Sequence, residues 1–340
     1  MIGLAYWLET TIKVLVLAVA ALTGAGLAVY LFLFKLISFM QSRLGPMEAG
    51  PHGSLQLVAE VGKWLQKEDI IPDHAEKTLF KLPPFIILAT TLMIFVVVPA
   101  GPTAVVSSLP AGIFFVLAVS SISVLGVLIA GWASANKYAL MGGIRAAGQL
   151  IAYELPMVLA VLGVVIQAGT LNLQEIVHQQ SAGSIFGLDW IGNPYLLTQL
   201  VGFAIFMIAV QAELGQTPFD MPVAESEVIG GYMVEYTGIR FLVFFLSEFA
   251  AAVGFSAIAA TLFLGGWALP DAWGIPRDAM FVIGPIVILA KALALTGVIF
   301  WVRFTVPRLR EDQLQRFAWK VLIPASLANI ALTAILKVAF

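Results

Sequence analysis

Long uncharged stretches limit the folds that are open to this chain. From Leu82 to Asn136 there is no Asp, Glu, Lys or Arg, and residues 14–34 are also uncharged. A transmembrane helix needs about 20 apolar residues, so these stretches are long enough to span a membrane. Charged residues make up 11% of the chain, against about 25% in a typical soluble domain. The sequence therefore predicts a polytopic membrane protein.

The composition also excludes other classes of protein. With 60% hydrophobic residues and a net charge of −2, the chain is neither disordered nor a nucleic-acid binder. It contains no cysteine, so it cannot supply the thiolate ligands of an iron–sulfur cluster. Its three histidines, His52, His74 and His178, all lie in polar stretches, which argues against a membrane-embedded haem. We expect no metal site and no redox centre in this chain.

The fold class that we predict is an all-α polytopic membrane protein with eight transmembrane helices and one membrane domain over 1–340. The predicted spans cover approximately 14–38, 84–101, 111–132, 147–170, 192–213, 238–264, 279–303 and 317–338. Proline and glycine near residues 99–112 divide the longest uncharged stretch into two of these helices. An even number of spans places both termini on the same side of the membrane.

The distribution of basic residues predicts the orientation. Fourteen of the 18 Lys and Arg residues lie in or beside the loops that follow odd-numbered spans, and three lie on the other side. By the positive-inside rule, the odd loops are cytoplasmic, which fits a multi-pass protein of the bacterial inner membrane. The predicted cytoplasmic loops surround His52, Lys137, Asp220 and Arg310, and the predicted external loops surround Ser107, His178 and Asp271.

The first cytoplasmic loop has an amphipathic pattern. Its polar face comprises Gln56, Glu60, Lys63 and Lys67, and its apolar face comprises Leu57, Val61, Trp64 and Leu65. This pattern predicts a helix that lies at the membrane interface. The alternative is a peripheral helix packed on protein.

The most unusual segment is 211–236, which is acidic and lies between two predicted spans. Its acids are Glu213, Asp220, Glu225, Glu227 and Glu235, with no Lys or Arg among them. Repulsion and partial burial favour the protonated carboxyl form, so we expect some of these groups to exchange protons. The alternative is a solvated loop that docks a basic partner, although the interleaved aromatic residues argue against full solvation.

Three further ionisable residues fall within or at the ends of predicted spans: Glu154, Glu248 and Lys291. Charges at this depth usually face the interior of a helix bundle or a water path. For the two glutamates, the alternative is a carboxylate that reaches the headgroups from a helix end. Lys291 is far from both ends of its span, so we predict a buried acid partner for it.

The acidic segment resembles a signature of the H subunit of respiratory complex I, the counterpart of mitochondrial subunit 1. Its run Thr217–Asp220, followed by Pro222 and Glu225–Glu227, is similar to the family's Pro-Phe-Asp and Glu-Ser-Glu motifs. Other ordered motifs match the family over nearly the whole chain. They are Met40–Pro46 with Gly50-Pro51, Gly131–Leu140, Arg145, Ala152–Glu154, and Arg303 with Pro307-Arg308 and Asp312–Leu314.

The resemblance implies a subunit of a proton-translocating NADH:quinone oxidoreductase, with a quinone of the ubiquinone or menaquinone type as substrate. Its implied partners are the peripheral-arm quinone-module subunits, small membrane subunits, antiporter-like subunits and membrane lipid, and nucleic acid is not among them. The residues implied in the quinone chamber and in proton coupling are Glu213, Asp220, Glu225, Glu227, Glu235, Glu154, Glu248 and Lys291. Those implied in loop bracing are Arg43, Lys137, Arg145, Arg303 and Arg308.

The chain departs from the family at several positions. Leu33 and Phe34 stand where the family has an acid and an arginine, Gln216 replaces an arginine, and Val223 replaces an acid. We expect these changes to make the mouth of a quinone chamber less polar. Two other functions remain open: the equivalent subunit of a membrane-bound hydrogenase or of a ferredoxin- or deazaflavin-fed dehydrogenase, and a stand-alone secondary transporter. A transporter would require internal repeats, which the sequence does not show.

Overall fold

The computed structural model describes residues 2–183, 190 and 192–339, and these residues form helices and connecting loops with no strand among them. The longer helices are α1 (Ile2–Ala28), α2 (Gln56–Gln66), α3 (Lys77–Val96), α4 (Gly112–Ala133), α5 (Lys137–Ala168), α6 (Leu173–Ala182), α7 (Leu200–Glu213), α8 (Gly238–Phe263), α9 (Arg277–Thr305), α10 (Glu311–Phe317) and α11 (Ile323–Ala339). Segments Val29–Leu36 and Ile37–Met40 continue α1, and Ala318–Leu322 joins α10 to α11.

Seven helices of the described residues are long and apolar enough to cross a membrane. They lie at 10–40, 77–96, 112–133, 137–168, 238–263, 278–305 and 311–339. The expected span at 192–213 corresponds to α7, which has only 14 residues and follows the short helix Tyr195–Thr198. The described residues are therefore those of an all-helical, multi-pass membrane protein.

The helices pack around α8, which contacts α1, α3 and α9, while α5 contacts α4, α7 and α11. Aromatic stacking joins α1, α8 and α9, because the Phe300 ring lies 5.8 Å from the Phe32 ring and 5.4 Å from the Phe249 ring. Small residues such as Ala252 and Ala260 are fully buried in α8 and allow this close packing.

Local capping signals explain several helix ends. The Asn136 side chain accepts a hydrogen bond from the Tyr138 amide at 2.8 Å, as expected of a residue that precedes a helix. Gly169 ends α5 in the left-handed region, at φ 73°, which favours glycine. Lys337 of α11 donates to the carbonyl of Ile166 at 2.6 Å and so satisfies one of the last carbonyls of α5.

Gln180 on α6 connects several elements at one end of the bundle, which we name the α6 end. Its Nε2 donates to the Thr261 carbonyl at 3.0 Å, near the end of α8. Its Oε1 accepts from the amides of Tyr195 at 3.2 Å and Gly265 at 2.9 Å. A buried amide with these backbone partners holds the chain at Tyr195, just before α7, against the end of α8.

Candidate functional site

The opposite end of the bundle carries the acidic loop, residues 214–237, and encloses a cavity of about 440 Å³. Its lining includes Glu213 at the end of α7, Asp220 in the acidic loop and Glu248 in α8. Arg303 near the end of α9 and Arg308 in the following linker also line it. Five residues singled out in the sequence therefore meet in one cavity, where carboxylates and guanidinium groups could bind a polar molecule and exchange protons.

Gln216 lies behind this cavity and joins two of its charged residues. Its side-chain amide donates a hydrogen bond to Glu248, and its side-chain oxygen accepts one from Arg303. The guanidinium Nη1 of Arg303 lies 3.7 Å from Glu248 Oε1. Because Gln216 is only 2% exposed, it forms a neutral bridge between the two charges rather than part of the cavity mouth that we expected.

A second cavity, of about 100 Å³, adjoins the first and extends between α3, α4 and α8. Both cavities are lined by Glu213, Tyr232 and Glu248. The lining of the second cavity is partly apolar and also contains five hydroxyl-bearing residues: Thr90, Thr91, Ser120, Ser123 and Ser247. These residues were not expected from the sequence, although Ser120 and Ser123 are three residues apart and so share a helix face.

Two polar groups beside these cavities are fully or partly removed from solvent: the Ser247 hydroxyl and the Tyr232 phenol. The Ser247 hydroxyl is buried without a hydrogen-bond partner among the described residues, and a polar group in such a place is normally satisfied by water. Burial raises the pKa of Tyr232, and the negative charges of Glu248 and Asp220 raise it further. The Tyr232 phenol therefore stays protonated and available as a hydrogen-bond donor.

Glu227 forms a different contact, outside the cavity, that holds the acidic loop to its neighbours. Its carboxylate accepts hydrogen bonds from Arg145 of α5 and from Arg308, each at 2.5 Å. Arg145 also lies 3.8 Å from Glu311 of α10. The hydrogen bond from Arg145 and the charge of Arg308 lower the pKa of the Glu227 carboxyl, so this group stays ionised near neutral pH.

The remaining predicted residues do not line either cavity. Glu154 accepts a hydrogen bond from Ser121 of α4, and Glu235 accepts one from Asn136 at 2.5 Å. Arg43 donates to the Gln41 side chain at 2.8 Å, and the Lys137 ammonium lies 5.1 Å from the centre of the Tyr138 ring. The side chain of Glu225 lies outside the described part of the structure.

The acid partner predicted for Lys291 is wrong. Its ammonium group donates to the backbone carbonyls of Leu264 at 2.7 Å, Gly266 at 2.9 Å and Ala268 at 3.4 Å. These carbonyls follow the C-terminal end of α8, where the helix dipole is negative and the backbone acceptors lack helical partners. Sequence reasoning missed this arrangement because the partner is backbone from another segment, which no residue type reveals.

Fold and site together define a multi-pass α-helical membrane protein with a cavity lined by ionisable residues at one end. A model of the NADH dehydrogenase family matches residues 12–334. A relative from Brevibacillus brevis, named as the H subunit of an NADH-quinone oxidoreductase, is 45% identical over 329 residues, which cover 96% of this chain and 94% of the relative. A relative of the same name from Bacillus mycoides is 45% identical over 307 residues, which cover 90% and 87% of the two chains.

The chain belongs to the NADH dehydrogenase family, among the H subunits of NADH-quinone oxidoreductases. The resemblance that the sequence motifs indicated is therefore confirmed, and so is the assignment to a subunit of an oxidoreductase complex.

Proposed function

We propose that this chain forms part of a quinone chamber in an NADH:quinone oxidoreductase and couples quinone reduction to proton translocation. The observation that carries the proposal is the cavity in which Glu213, Asp220 and Glu248 meet Arg303 and Arg308. Such a site can bind a polar quinone head and supply protons close to it. The quinone is of the ubiquinone or menaquinone type, and its reduction requires electrons from a redox centre in another subunit.

The adjoining hydroxyl-lined cavity supports proton transfer away from this site. It begins at Glu213 and Glu248 and reaches between α3 and α4, where serine and threonine side chains can hydrogen-bond water. Glu154 would continue the path on α5, where it already accepts a hydrogen bond from Ser121. Glu235 and Glu225 belong to the proposed loop end of the path. Glu227, whose two arginine partners keep it ionised, more readily braces the loop together with Arg145 and Arg308.

The partners in this proposal are the other subunits of the complex: the peripheral-arm quinone-module subunits, small membrane subunits and antiporter-like subunits. The acidic loop and the loops around Arg43 and Lys137 would face the peripheral arm. Lys291 would stabilise the opposite end rather than join the proton path, since its partners are backbone carbonyls.

We further propose eight spans in one membrane domain of the bacterial inner membrane. The segment 195–213 supports the eighth span, because Tyr195 contacts Gln180 at the α6 end and Glu213 lines the cavity at the opposite end. The acidic-loop end would be cytoplasmic. Helix α2 would lie at the interface, since none of its residues is buried and Val58 and Leu65 are 65% and 58% exposed.

Cysteine labelling tests this orientation without background, because the chain has no cysteine. A membrane-impermeant maleimide added outside cells should label Asp271→Cys and should label Arg310→Cys only after the membrane is opened. External labelling of Arg310→Cys in intact cells would contradict the proposed topology.

Replacing Glu213 by Gln tests the proposed coupling. The substitution keeps the size of the side chain but removes its exchangeable proton, so quinone reduction and proton translocation should both fall in the assembled complex. Turnover and pumping would be measured per intact complex, with assembly quantified separately and the exposed loop variant Glu68→Gln as a control. Normal turnover with normal pumping in Glu213→Gln would exclude Glu213 from the path.

A further inference from the structure

A second, apolar compartment lies on the other side of the acidic loop from the polar cavity. It is a cleft of about 280 Å³ between α7 and α9, lined by Met207, Ile208, Gln211, Pro218, Phe219, Val298, Ile299, Val302, Leu309 and Phe317. None of these residues lines the polar cavity, where the neighbouring Thr217 contributes instead. The chain between Thr217 and Phe219 therefore separates a charged compartment from a hydrocarbon-like one.

The walls of this cleft are well defined. Leu309 donates its amide proton to the Pro218 carbonyl at 3.0 Å, and the Phe219 ring packs on Tyr153 at a centroid distance of 5.0 Å. Gln211, the single polar side chain in the lining, donates to the carbonyls of Thr217 at 2.7 Å and Ile299 at 3.2 Å. Because its amide protons are used within the protein, the cleft offers an apolar surface that suits hydrocarbon.

The cleft opens sideways, toward whatever surrounds the bundle in the membrane, since its lining residue Val298 is 45% exposed. Two tryptophans, Trp301 and Trp319, are 57% exposed one or two residues from the lining residues Val302 and Phe317. Exposed tryptophan is typical of the zone between lipid headgroups and acyl chains. The mouth of the cleft therefore lies at the depth where a phospholipid headgroup would be.

The charges beside the mouth are positive. Arg316 and Lys320 are exposed and form no ion pair among the described residues. Lys320 is four residues after Arg316 and three after Phe317 on a continuous helical stretch, so its side chain is a neighbour of both. The main partners of the acids of α10 are other arginines: Asp312 accepts a hydrogen bond from Arg310 at 2.5 Å, with a weaker charge interaction with Arg316, and Glu311 lies 3.8 Å from Arg145. Lys320 has no such acid beside it among the described residues.

We propose that this cleft binds one acyl chain of an anionic phospholipid whose headgroup contacts Arg316 and Lys320. An apolar cleft beside two exposed cations and two exposed tryptophans matches both halves of such a lipid. The bound lipid would fill the space between α7 and α9 and support the segment 217–219 that forms a wall of the polar cavity.

Photolabelling of the purified complex tests the proposal. The probe is a phosphatidylglycerol with a diazirine in one acyl chain, applied to delipidated complex in detergent and mapped by peptide mass spectrometry. Labelling should appear on residues 207–211 or 298–302 and should be competed by dioleoylphosphatidylglycerol more effectively than by dioleoylphosphatidylcholine. Equal competition by the two lipids, or no label at these residues, would overturn the proposal.

Two variants separate the headgroup contact from the cleft itself. Arg316→Gln combined with Lys320→Gln should weaken phosphatidylglycerol competition by about 30-fold, from the usual contribution of a cation near an anionic lipid. Lys77→Gln with Lys81→Gln, two exposed lysines at the start of α3, is the matched control and should leave it unchanged. Ile208→Trp should remove the label by filling the cleft, whereas the exposed Val282→Trp should not.

Assembly of each variant is quantified in parallel. If Ile208→Trp releases a neighbouring subunit while lipid labelling elsewhere is unchanged, the cleft holds a helix of that subunit and the lipid proposal is wrong. The charge variant remains informative even if Ile208→Trp fails to assemble, since its side chains are exposed. Unchanged competition in that variant would also contradict the proposal.

Discussion

The two ends of the bundle hold buried charge in different ways. At the α6 end, the ammonium group of Lys291 is held by the carbonyls of Leu264, Gly266 and Ala268, which are fixed parts of the backbone. At the other end, Glu248 is held by the side chains of Gln216 and Arg303 and faces a cavity of about 440 Å³. The first charge has rigid partners, and the second has rotatable partners and open space.

This difference separates a structural charge from one that can take part in chemistry. A cation that satisfies the backbone carbonyls just beyond a helix end stabilises one conformation, and moving it would leave those carbonyls without their donor. A carboxylate whose partners can rotate can be rearranged by a ligand or a proton at a smaller energetic penalty. An ionisable residue within a span is therefore a candidate for function until its partners are known.

The largest effect is expected for Glu248→Gln. If this variant reduced assembly instead of turnover, Glu248 would be a structural charge like Lys291 and the difference between the two ends would not hold. Loss of the exchangeable proton should lower quinone turnover by about 100-fold in the assembled complex, the usual effect of removing a positioned proton donor or acceptor. Turnover per intact complex is the measurement. Normal turnover together with reduced assembly would place Glu248 in the same class as Lys291.

Lys291→Leu should give the opposite pattern. Removing the ammonium group leaves the carbonyls at the end of α8 without their donor, at a penalty of about 1–3 kcal/mol per unsatisfied group. We expect lower thermal stability and less assembled complex, with normal turnover in the complexes that form. Lys337→Leu, which removes a more exposed lysine of α11 that donates to a carbonyl at the end of α5, should give a smaller loss. A turnover defect in Lys291→Leu without any change in stability would contradict this assignment.

Gln180→Leu tests whether a neutral buried residue at the α6 end also has a structural role. The substitution removes the donor to the Thr261 carbonyl and the acceptor of two amides, so we expect a loss of about 1–3 kcal/mol. Thermal unfolding of the complex would measure it, with Gln179→Leu on the same helix as a control that loses a single hydrogen bond, from the Tyr195 hydroxyl, and should be destabilised less. Equal stability of the two variants would mean that the Gln180 contacts are replaced by water.

Glu227→Gln should have the smallest effect. Its carboxylate is 45% exposed, and exposed ion pairs contribute only about 0–1 kcal/mol. Because the pKa in the folded protein is below the ordinary 4.5, the contribution is present above pH 4.5 and is lost as the pH falls through the lowered value. Salt should weaken it as well.

The measurement for Glu227→Gln is thermal stability against pH and salt, with turnover per complex measured beside it. We expect near-normal turnover and a stability difference from the unchanged protein that disappears at acid pH. A large turnover defect at neutral pH and low salt would instead assign Glu227 to the proton path.

Much of the architecture was predictable from the sequence. Uncharged stretches such as 82–136 and the break near residues 99–112 anticipated α3 and α4, because helix length and lipid solubility depend on local composition. The acidic segment also indicated a site, and three of the residues expected there, Glu213, Asp220 and Glu248, line one cavity. The departure at Gln216 was visible in the sequence, but its role as a bridge between Glu248 and Arg303 was not.

The sequence alone predicts that the chain forms membrane helices, that the acids lie at one end of the helix bundle, and that the chain resembles a known family. The contacts of the ionisable side chains depend on the packing of the helices. They are arginines for Glu227, backbone carbonyls for Lys291, and hydroxyl groups beside Glu213 and Glu248. The physical reason is that membrane insertion depends on the composition of each segment alone. Pairing depends on which atoms meet when segments far apart in the chain pack together, and backbone carbonyls, which every residue carries, leave no mark in the sequence.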